Sequence, residues 1–157
     1  MSYIEVQNQL EKYGLDKDIQ ILPHSSATVA LAAETIGVKE AQIAKTMAFM
    51  VKEKPILIVM EGTARLDNHK YKSFFHAKAK MMSAEELKEY IDHEPGGVCP
   101  FGVRDNVLVY FDISLKHWDT VWPAAGLHNN CVRITLQDME KVVQPAAWID
   151  VTKAQSE

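Results

Sequence analysis

The chain has 157 residues and a formal net charge of −4, and it is 47% hydrophobic and 24% charged. These values are typical of one soluble globular domain, which we expect to span residues 1–157, and the acidic balance disfavours a protein that coats DNA through bulk charge. No apolar run approaches the ~20 residues that cross a bilayer, and no secretion signal is visible. Cys99 and Cys131 are too few for a disulfide framework, so we expect a cytoplasmic protein. From the acidic charge and the lack of a long apolar run, we expect neither a DNA nor a membrane partner.

The predicted secondary structure alternates between helices and short strands. The first half is expected to hold a helix over 3–13, a strand over 19–22, a helix over 29–36 capped by Ser25 or Ser26, a turn at 41–44, and strands over 45–51 and 56–60. The second half is expected to hold helices over 67–75 and 83–91, a helix capped by Thr135, and strands over 79–81, 107–112, 120–122, 131–135 and 148–151. This order predicts a compact α/β domain in which helices cover a mixed sheet.

The most distinctive segment runs from Pro95 to Gly102 and contains three glycines and two prolines. Gly96 and Gly97 let the backbone adopt positive φ and approach a ligand closely, whereas Pro95 and Pro100 fix the direction of the chain. Because successive glycine N–H groups can bind an anion or an oxyanion, this loop is a candidate wall of a site. The alternative is a tight connection between a helix and a strand.

Four side chains are further candidates for a site. Lys45 begins a predicted strand, so its ammonium should emerge at the rim of the sheet, where ligand sites are common. The neighbouring Thr46 should point to the opposite face. His128 lies in a loop with Gly126 and could transfer a proton near neutral pH, and His24 is the other histidine expected to line a pocket. A solvated lysine and a turn histidine are the alternative interpretations.

Motifs for metal binding and covalent catalysis are missing from the sequence. The zinc ligands that could be assembled on paper, namely His93, Cys99, His117, His128 and Cys131, match no zinc spacing. No Walker loop, GxSxG elbow or GxGxxG motif is present. We therefore expect neither a metal nor a cofactor.

Residues 69–80 contain four lysines and two histidines without a single acid. The four lysines of this strip are Lys70, Lys72, Lys78 and Lys80. Such a strip is either the solvated face of a helix followed by a strand, or a local binding surface for phosphates on an otherwise acidic protein.

Several motifs, in the right order and spacing, resemble the YbaK/prolyl-tRNA synthetase-associated family of aminoacyl-tRNA editing domains. They are Ile43-Ala44-Lys45-Thr46-Met47-Ala48-Phe49, Gly62 ahead of Leu66-Asp67-x-x-Lys70, residues 79–87, Gly96-Gly97-Val98-Cys99-Pro100-Phe101-Gly102, Asp112-x-Ser114-Leu115 and Ala125-Gly126. The resemblance spans about residues 20 to 145. It implies a YbaK-like fold, with a partly barrel-like mixed sheet of six to seven strands covered by about five helices.

The resemblance also implies an activity: a trans-acting deacylase that hydrolyses the ester between a wrong amino acid and the 3′ end of a tRNA. In the family, the lysine matching Lys45 is the key functional residue, and the loop matching Gly96 and Gly97 frames the aminoacyl pocket. The substrate-binding residues expected from it are His24, Thr46, Gly62, Val98, Cys99, Pro100, Phe101, Asp112, Gly126 and His128. The implied partners are the acceptor end of a mischarged tRNA and prolyl-tRNA synthetase or another synthetase. The residues expected to bind the tRNA are those of the lysine strip, namely Lys70, Lys72, Lys78 and Lys80.

The expected mechanism is attack of water on the ester carbonyl. Backbone N–H groups of Gly96 and Gly97 would stabilise the oxyanion, Lys45 would hold the terminal phosphate or ribose, and a ribose hydroxyl of the substrate would activate the water. Thr46 resembles the cysteine-deacylating branch, whereas His128 resembles alanine-editing relatives, and Cys99 stands where serine is common. A cysteinyl, alanyl or other small aminoacyl group therefore fits the pattern, and tRNA-Pro is one candidate for the tRNA that carries it.

Two rival functions use the same residues differently. A binding module would use the pocket to sense an amino acid, an adenosine-containing ligand or a charged tRNA without turning it over. An interaction subunit would dock on a synthetase through exposed apolar patches and leave hydrolysis to its partner. A change at Lys45 separates the three functions, because it would abolish hydrolysis, weaken sensing, or leave docking intact.

Overall fold

A computed structural model describes residues 2–23 and 28–154 of the chain. The α-helices in these ranges are α1 (Ser2–Glu11), α2 (Val29–Ile36), α3 (Asn68–Phe75), α4 (Ala84–Tyr90) and α5 (Leu136–Val143). The strands are β1 (Ile19–Ile21), β2 (Ile43–Val51), β3 (Lys54–Glu61), β4 (Leu108–Asp112), β5 (Thr120–Pro123), β6 (Asn130–Val132), β7 (Ile134–Thr135) and β8 (Ala147–Ile149). Short 3-10 helices occupy Asp16–Asp18, Glu40–Gln42 and Ile113–His117. The predicted α/β class is confirmed.

Six of the strands form one mixed sheet in the order β7-β5-β2-β3-β4-β8, and β1 pairs separately with β6. The centre of the sheet is the antiparallel hairpin of β2 and β3, in which Lys45 lies opposite Met60. The turn of this hairpin places Lys52 and Glu53 at φ angles of 48° and 69°. β4 runs parallel to β3, so the apolar run of β3 is covered on both sides and forms the buried central strand that the sequence predicts.

The outer edge of β2 has a gap in its pairing. β5 pairs with β2 only at Ile43 and Ala44. The chain after α3 meets the same edge further along, where the Met82 N–H donates to the Ala48 carbonyl and Phe49 forms a bridge with Met81. Between these two contacts, the neighbouring segments diverge from β2 and leave room for a cavity beside Lys45 and Thr46.

Helices pack on both faces of the sheet and hold β2 in place. On one face, Val6 and Leu10 of α1 and Met139 of α5 join a cluster with Leu57 and Phe111. The other face carries Tyr71 and Phe75 of α3, packed on Phe49, Ile58 and Met60. A third and smaller cluster joins Ala32 and Ala33 of α2 to Ile43. The apolar contacts of α2 therefore reach β2 at its first residue, directly beside the gap.

Three predicted capping residues begin helices as expected. Asp67, Ser83 and Thr135 each accept hydrogen bonds from backbone N–H groups in the first turns of α3, α4 and α5. Ser83 and Glu86 complete a capping box, in which each side chain bonds the backbone N–H of the other residue. These starts follow from local hydrogen bonding, which the sequence alone encodes.

Other predicted boundaries are wrong. α2 is capped by Thr28, whose hydroxyl accepts a hydrogen bond from the Leu31 N–H, and not by Ser25 or Ser26, which lie outside the described residues. The strand expected over 131–135 is divided into β6 and β7, because these pair with two different strands, β1 and β5. Within the described ranges, every helix is too short or too polar to span a membrane.

Candidate active site

A cavity of about 230 Å³ opens at the gap beside β2, between β5, α2 and the glycine-rich loop of residues 95–102, called the glycine loop below. Four of the residues predicted from sequence line it, namely Lys45, Thr46, Gly96 and Val98. Lys45 and Thr46 lie next to each other on β2 but both line the cavity, because none of the described strands pairs with the edge of β2 at this point. The structure therefore brings the predicted lysine and the predicted glycine loop together.

The Lys45 side chain is half-buried and held at its tip. Its ammonium donates a hydrogen bond to the carbonyl of Ala64, in the loop between β3 and α3. Burial lowers the pKa of Lys45 below its ordinary value, and the nearby positive charge of Arg65 lowers it further. The result is a desolvated cation at the boundary between the cavity and the Ala64 loop, where it interacts more strongly with an anion than a solvated lysine would.

Thr46 offers the cavity an unused polar atom. Its hydroxyl oxygen is buried and finds no hydrogen-bond partner among residues 2–23 and 28–154. Since buried polar groups in folded proteins are nearly always hydrogen-bonded, a polar atom of a ligand would satisfy it.

The two glycines of the loop have different roles. Gly96 lies at φ 84°, in the left-handed region that favours glycine, and it faces the cavity. Gly97 is buried, and its N–H donates to the Glu94 carbonyl at 2.8 Å. The Gly97 N–H is therefore already engaged within the loop and is not free to bind an oxyanion in this arrangement. A Cβ on Gly97 would lie 2.6 Å from the backbone of Leu127, so this glycine allows two loops to touch.

Residues that follow Val98 support the loop from behind. Cys99 and Phe101 are fully buried, and Pro100 is buried beside them, so none of the three lines the cavity. The Cys99 N–H donates to Nδ1 of His93 at 3.2 Å, and its sulfur lies 3.9 Å from the same nitrogen. Sequence reasoning missed this contact. Burial nevertheless raises the pKa of Cys99 to about 12, which leaves the thiol protonated and unsuited to nucleophilic attack.

Asp112 and Gly62 stabilise the scaffold away from the cavity lining. The buried carboxylate of Asp112 accepts hydrogen bonds from the Ser114 N–H, the Val151 N–H and the Thr152 hydroxyl, each at 2.9 Å. A Cβ on Gly62 would lie 2.1 Å from the Glu40 carbonyl oxygen, so only glycine lets the end of β3 pack on the turn before β2. The structure does not support direct substrate contacts for either residue.

Gly126 and His128 belong to the loop that packs against the glycine loop. The Gly126 N–H donates to the Gly97 carbonyl at 3.0 Å. Glu94 holds the two loops together, because its carboxylate accepts from the His128 N–H at 2.9 Å and lies 2.8 Å from Nδ1 of the same residue. These bonds lower the pKa of Glu94. Neither Gly126 nor His128 lines the cavity, and His24 lies outside the described residues.

Comparison with known proteins identifies the chain. A family model for the aminoacyl-tRNA editing domain matches residues 24–142. The chain belongs to the aminoacyl-tRNA editing domain family. It is 41% identical over 154 residues to YwhH of Bacillus subtilis (strain 168), an uncharacterized protein, with 98% of each chain covered. It is 32% identical over 95 residues to a proline–tRNA ligase of Limosilactobacillus fermentum, which is 57% of this chain and 17% of that enzyme.

A solved structure supports the same relationship. A candidate trans-editing enzyme for prolyl tRNA synthetase is 27% identical to this chain and superposes with a TM-score of 0.85, covering 98% of both chains. The predicted YbaK-like fold of the editing family is thereby confirmed over nearly the whole chain.

The lysine strip of this editing domain is only partly free to bind a ligand. The Lys70 ammonium is paired with Asp150 at 3.0 Å and donates to the Thr152 carbonyl at 2.8 Å, so it fastens the C-terminal segment to α3. Lys72, Lys78 and Lys80 are exposed. The Met50 N–H donates to the Lys80 carbonyl, five residues along β2 from Lys45, a separation of about 16 Å in an extended strand.

Sequence reasoning missed part of the lining of the cavity in this editing domain. Val29, Ala32 and Ile36 of α2 line it, although their helical spacing reads only as a buried stripe. Trp122 and Asn130 complete the wall. Asn130 is buried and closes its own loop, since its side chain accepts from the Leu127 N–H and donates to the Ala125 carbonyl.

The described lining contains few groups that can ionise. They are Lys45 and Cys131, and burial raises the pKa of the Cys131 thiol to about 11. A carboxylate or imidazole is missing from the described part of the lining. The arrangement is therefore suited to bind and polarise a substrate with a cation, a hydroxyl and backbone groups, and it offers no side-chain base there.

Proposed function

We propose that this chain is a trans-acting aminoacyl-tRNA deacylase that hydrolyses the ester of a small amino acid, such as cysteine or alanine, on a mischarged tRNA. The observation that carries the proposal is that Lys45 and the Gly96 turn line one small cavity in a member of the editing family. The tRNA for proline is the first candidate, because the chain is similar to part of proline–tRNA ligases and to a candidate trans-editing enzyme for prolyl tRNA synthetase.

The size of the cavity supports a small aminoacyl group. At about 230 Å³, it is smaller than the roughly 300–1,000 Å³ of pockets that bind drug-sized ligands. An esterified cysteine or alanine fits such a space, whereas the rest of the terminal nucleotide would remain at the mouth. Val29, Ala32 and Ile36 provide an apolar wall for the side chain of the amino acid.

The reaction needs little from ionisable side chains. Water adds to the ester carbonyl, the bond between the carbonyl carbon and the ribose oxygen breaks, and that oxygen takes up a proton. Because the described lining lacks a carboxylate and an imidazole, the vicinal ribose hydroxyl of the substrate is the candidate group that orients the water and relays its proton.

Backbone groups and Lys45 would stabilise the charge that develops. The N–H groups of Gly96 and Val98 make no hydrogen bond to the described residues, and both residues line the cavity. They are the candidate oxyanion donors in place of Gly97. Removing one such donor typically costs about 10²- to 10³-fold in rate. Lys45, fixed by the Ala64 carbonyl, would hold the ribose or phosphate and so place the ester.

Hydrolysis of mischarged tRNA compensates for the limited selectivity of synthetases toward small amino acids. One methylene group in an apolar pocket supplies only about 1–3 kcal/mol of discrimination, so small amino acids are charged in error and need a second site that removes them.

The test is a deacylation assay with tRNAs charged with Ala, Cys, Ser, Thr and Pro. Wild type should release at least one small amino acid faster than buffer, and Lys45→Ala should abolish the release. Lys54→Ala is the matched control, because Lys54 is exposed in the hairpin at the far end of β2. Equal loss in both variants, or release that survives in Lys45→Ala, would contradict the proposal.

The lack of a carboxylate or imidazole in the described part of the lining also favours a second candidate, a module that binds a charged tRNA or a free amino acid without turnover. In that case wild type would bind charged tRNA but release nothing from any member of the panel. Lys45→Ala would then weaken binding only.

A further inference from the structure

Two cations outside the predicted site, Arg65 and Lys153, continue outward from Lys45. The Lys45 ammonium bonds the carbonyl of Ala64, the residue that directly precedes Arg65. The carbonyl of Arg65 in turn accepts a hydrogen bond from the Lys153 N–H at 2.8 Å. Both Arg65 and Lys153 are exposed. These contacts bring together the backbone positions of three positively charged residues, from the boundary of the cavity to the surface.

The backbone that carries these two cations is held firmly. Leu66 forms a bridge with Thr152, and the Asp67 N–H donates to the Val151 carbonyl at 2.8 Å. The buried Asp112 carboxylate fixes Val151 and Thr152 from behind. The positions of Arg65 and Lys153 are therefore set by the fold, although their side chains can still adapt to a ligand.

Nearby acids are already engaged with other groups. Asp150 pairs with Lys70, and the buried Glu61 bonds the Trp118 indole at 2.8 Å and lies 3.0 Å from Nδ1 of His117. Within residues 2–23 and 28–154, neither Arg65 nor Lys153 forms an ion pair.

Like charges that lie close together repel each other unless an anion is bound between them. The pKa of Lys45 is lowered mainly by burial, and the positive charge of Arg65 adds to this lowering. Lys153 also lines a groove of about 480 Å³, together with Ser114, His117 and the ion pair of Lys70 and Asp150. A chain of phosphates is the ligand chemistry that matches unpaired cations along a path leading away from an aminoacyl cavity.

We propose that Arg65 and Lys153 bind the phosphates next to the 3′-terminal nucleotide, so that the acceptor strand leaves the cavity over the Ala64 loop and the groove beside it. This inference rests on the proposed function, because it assumes that the ligand is a tRNA. It assigns the first phosphate contacts to Arg65 and Lys153 and not to the exposed lysines Lys72, Lys78 and Lys80.

The test measures binding of an uncharged, fluorescently labelled RNA hairpin that reproduces the acceptor stem with its single-stranded 3′ end. Arg65→Ala and Lys153→Ala should each weaken binding by about tenfold, since a charge-assisted hydrogen bond is lost. Each change should also reduce the slope of log K against log salt by about 0.7–0.9. Arg65→Lys should bind with intermediate affinity, because lysine keeps the positive charge but cannot form the bidentate hydrogen bonds of a guanidinium with a phosphate.

Lys72→Ala and Lys78→Ala are the matched controls and should change binding by less than about twofold, as expected for exposed charges away from the ligand. If these variants lose as much affinity as Arg65→Ala, or if Arg65→Ala and Lys153→Ala bind like wild type with an unchanged salt slope, the inference is wrong.

Deacylation by the same proteins separates this inference from the proposed function. If wild type binds the hairpin through Arg65 and Lys153 but hydrolyses no charged tRNA, the proposed activity fails and the phosphate surface stands. If wild type hydrolyses charged tRNA but is insensitive to Arg65→Ala at subsaturating substrate, the phosphate surface fails and the activity stands.

Discussion

Replacing Asp112 by asparagine should destabilise the fold without changing the affinity for substrate. One carboxylate oxygen of Asp112 accepts from the Val151 N–H, and the other accepts from the Ser114 N–H and the Thr152 hydroxyl. An amide can turn only one oxygen toward these donors. The threonine hydroxyl can reverse its role, but one backbone N–H must then remain buried without an acceptor in either orientation.

A buried unsatisfied donor costs about 1–3 kcal/mol, so Asp112→Asn should lower the free energy of unfolding by roughly that amount. Asp112→Ala leaves all three donors unpaired and should cost about 3–6 kcal/mol, a large share of the 5–15 kcal/mol that stabilises a typical domain. Thr152→Val removes one of the three partners and should cost about 1 kcal/mol.

Urea unfolding followed by tryptophan fluorescence measures these differences, and deacylation kinetics of the folded fraction measures KM. A near-wild-type free energy of unfolding combined with a tenfold higher KM for Asp112→Asn would contradict a purely structural role of this carboxylate. Asp112 would then contact the substrate and not only the scaffold.

Gly97→Ala should separate the two loops, because its Cβ would lie 2.6 Å from the Leu127 backbone. We expect the free energy of unfolding in urea to fall by about 1–3 kcal/mol and deacylation to slow. If both values stay unchanged, the close packing of the two loops is contradicted. Burial lowers the pKa of His93 from 6.5 to about 4. Between pH 6.5 and pH 4 the unfolded chain binds more protons than the folded chain. The free energy of unfolding should therefore fall by about 3 kcal/mol as the pH drops through this window. Urea melts near pH 7 and pH 4.5 should show the loss in wild type and a smaller one in His93→Gln; equal slopes would count against a buried neutral histidine.

The parts of the fold that could be predicted from the sequence are those set by local interactions. Asp67, Ser83 and Thr135 begin helices because a cap needs only the side chain and the next turn. The division of residues 131–135 into β6 and β7 could not be predicted in this way, because it depends on which distant strands lie beside each piece.

The same distinction applies to the candidate site. Lys45 and Gly96 could be found because their residue types and positions beside a strand and in a loop suggest a ligand site. Other features depend on how loops fold over each other. Examples are the hydrogen bond from the Gly97 N–H to the Glu94 carbonyl and the proximity of Arg65 to Lys45. The apolar wall from α2 was visible in the sequence as a helical stripe, but its exposure to a cavity follows only from the gap beside β2.

Single-turnover deacylation at saturating enzyme, with the best substrate of the tRNA panel, tests the proposed deacylase activity most directly. Wild type should release the amino acid about hundredfold or more faster than buffer, as expected for preorganised donors at the ester, and Lys45→Ala should lose most of this acceleration while remaining folded. Wild type that binds the charged tRNA but releases the amino acid no faster than buffer would contradict the proposed deacylase activity.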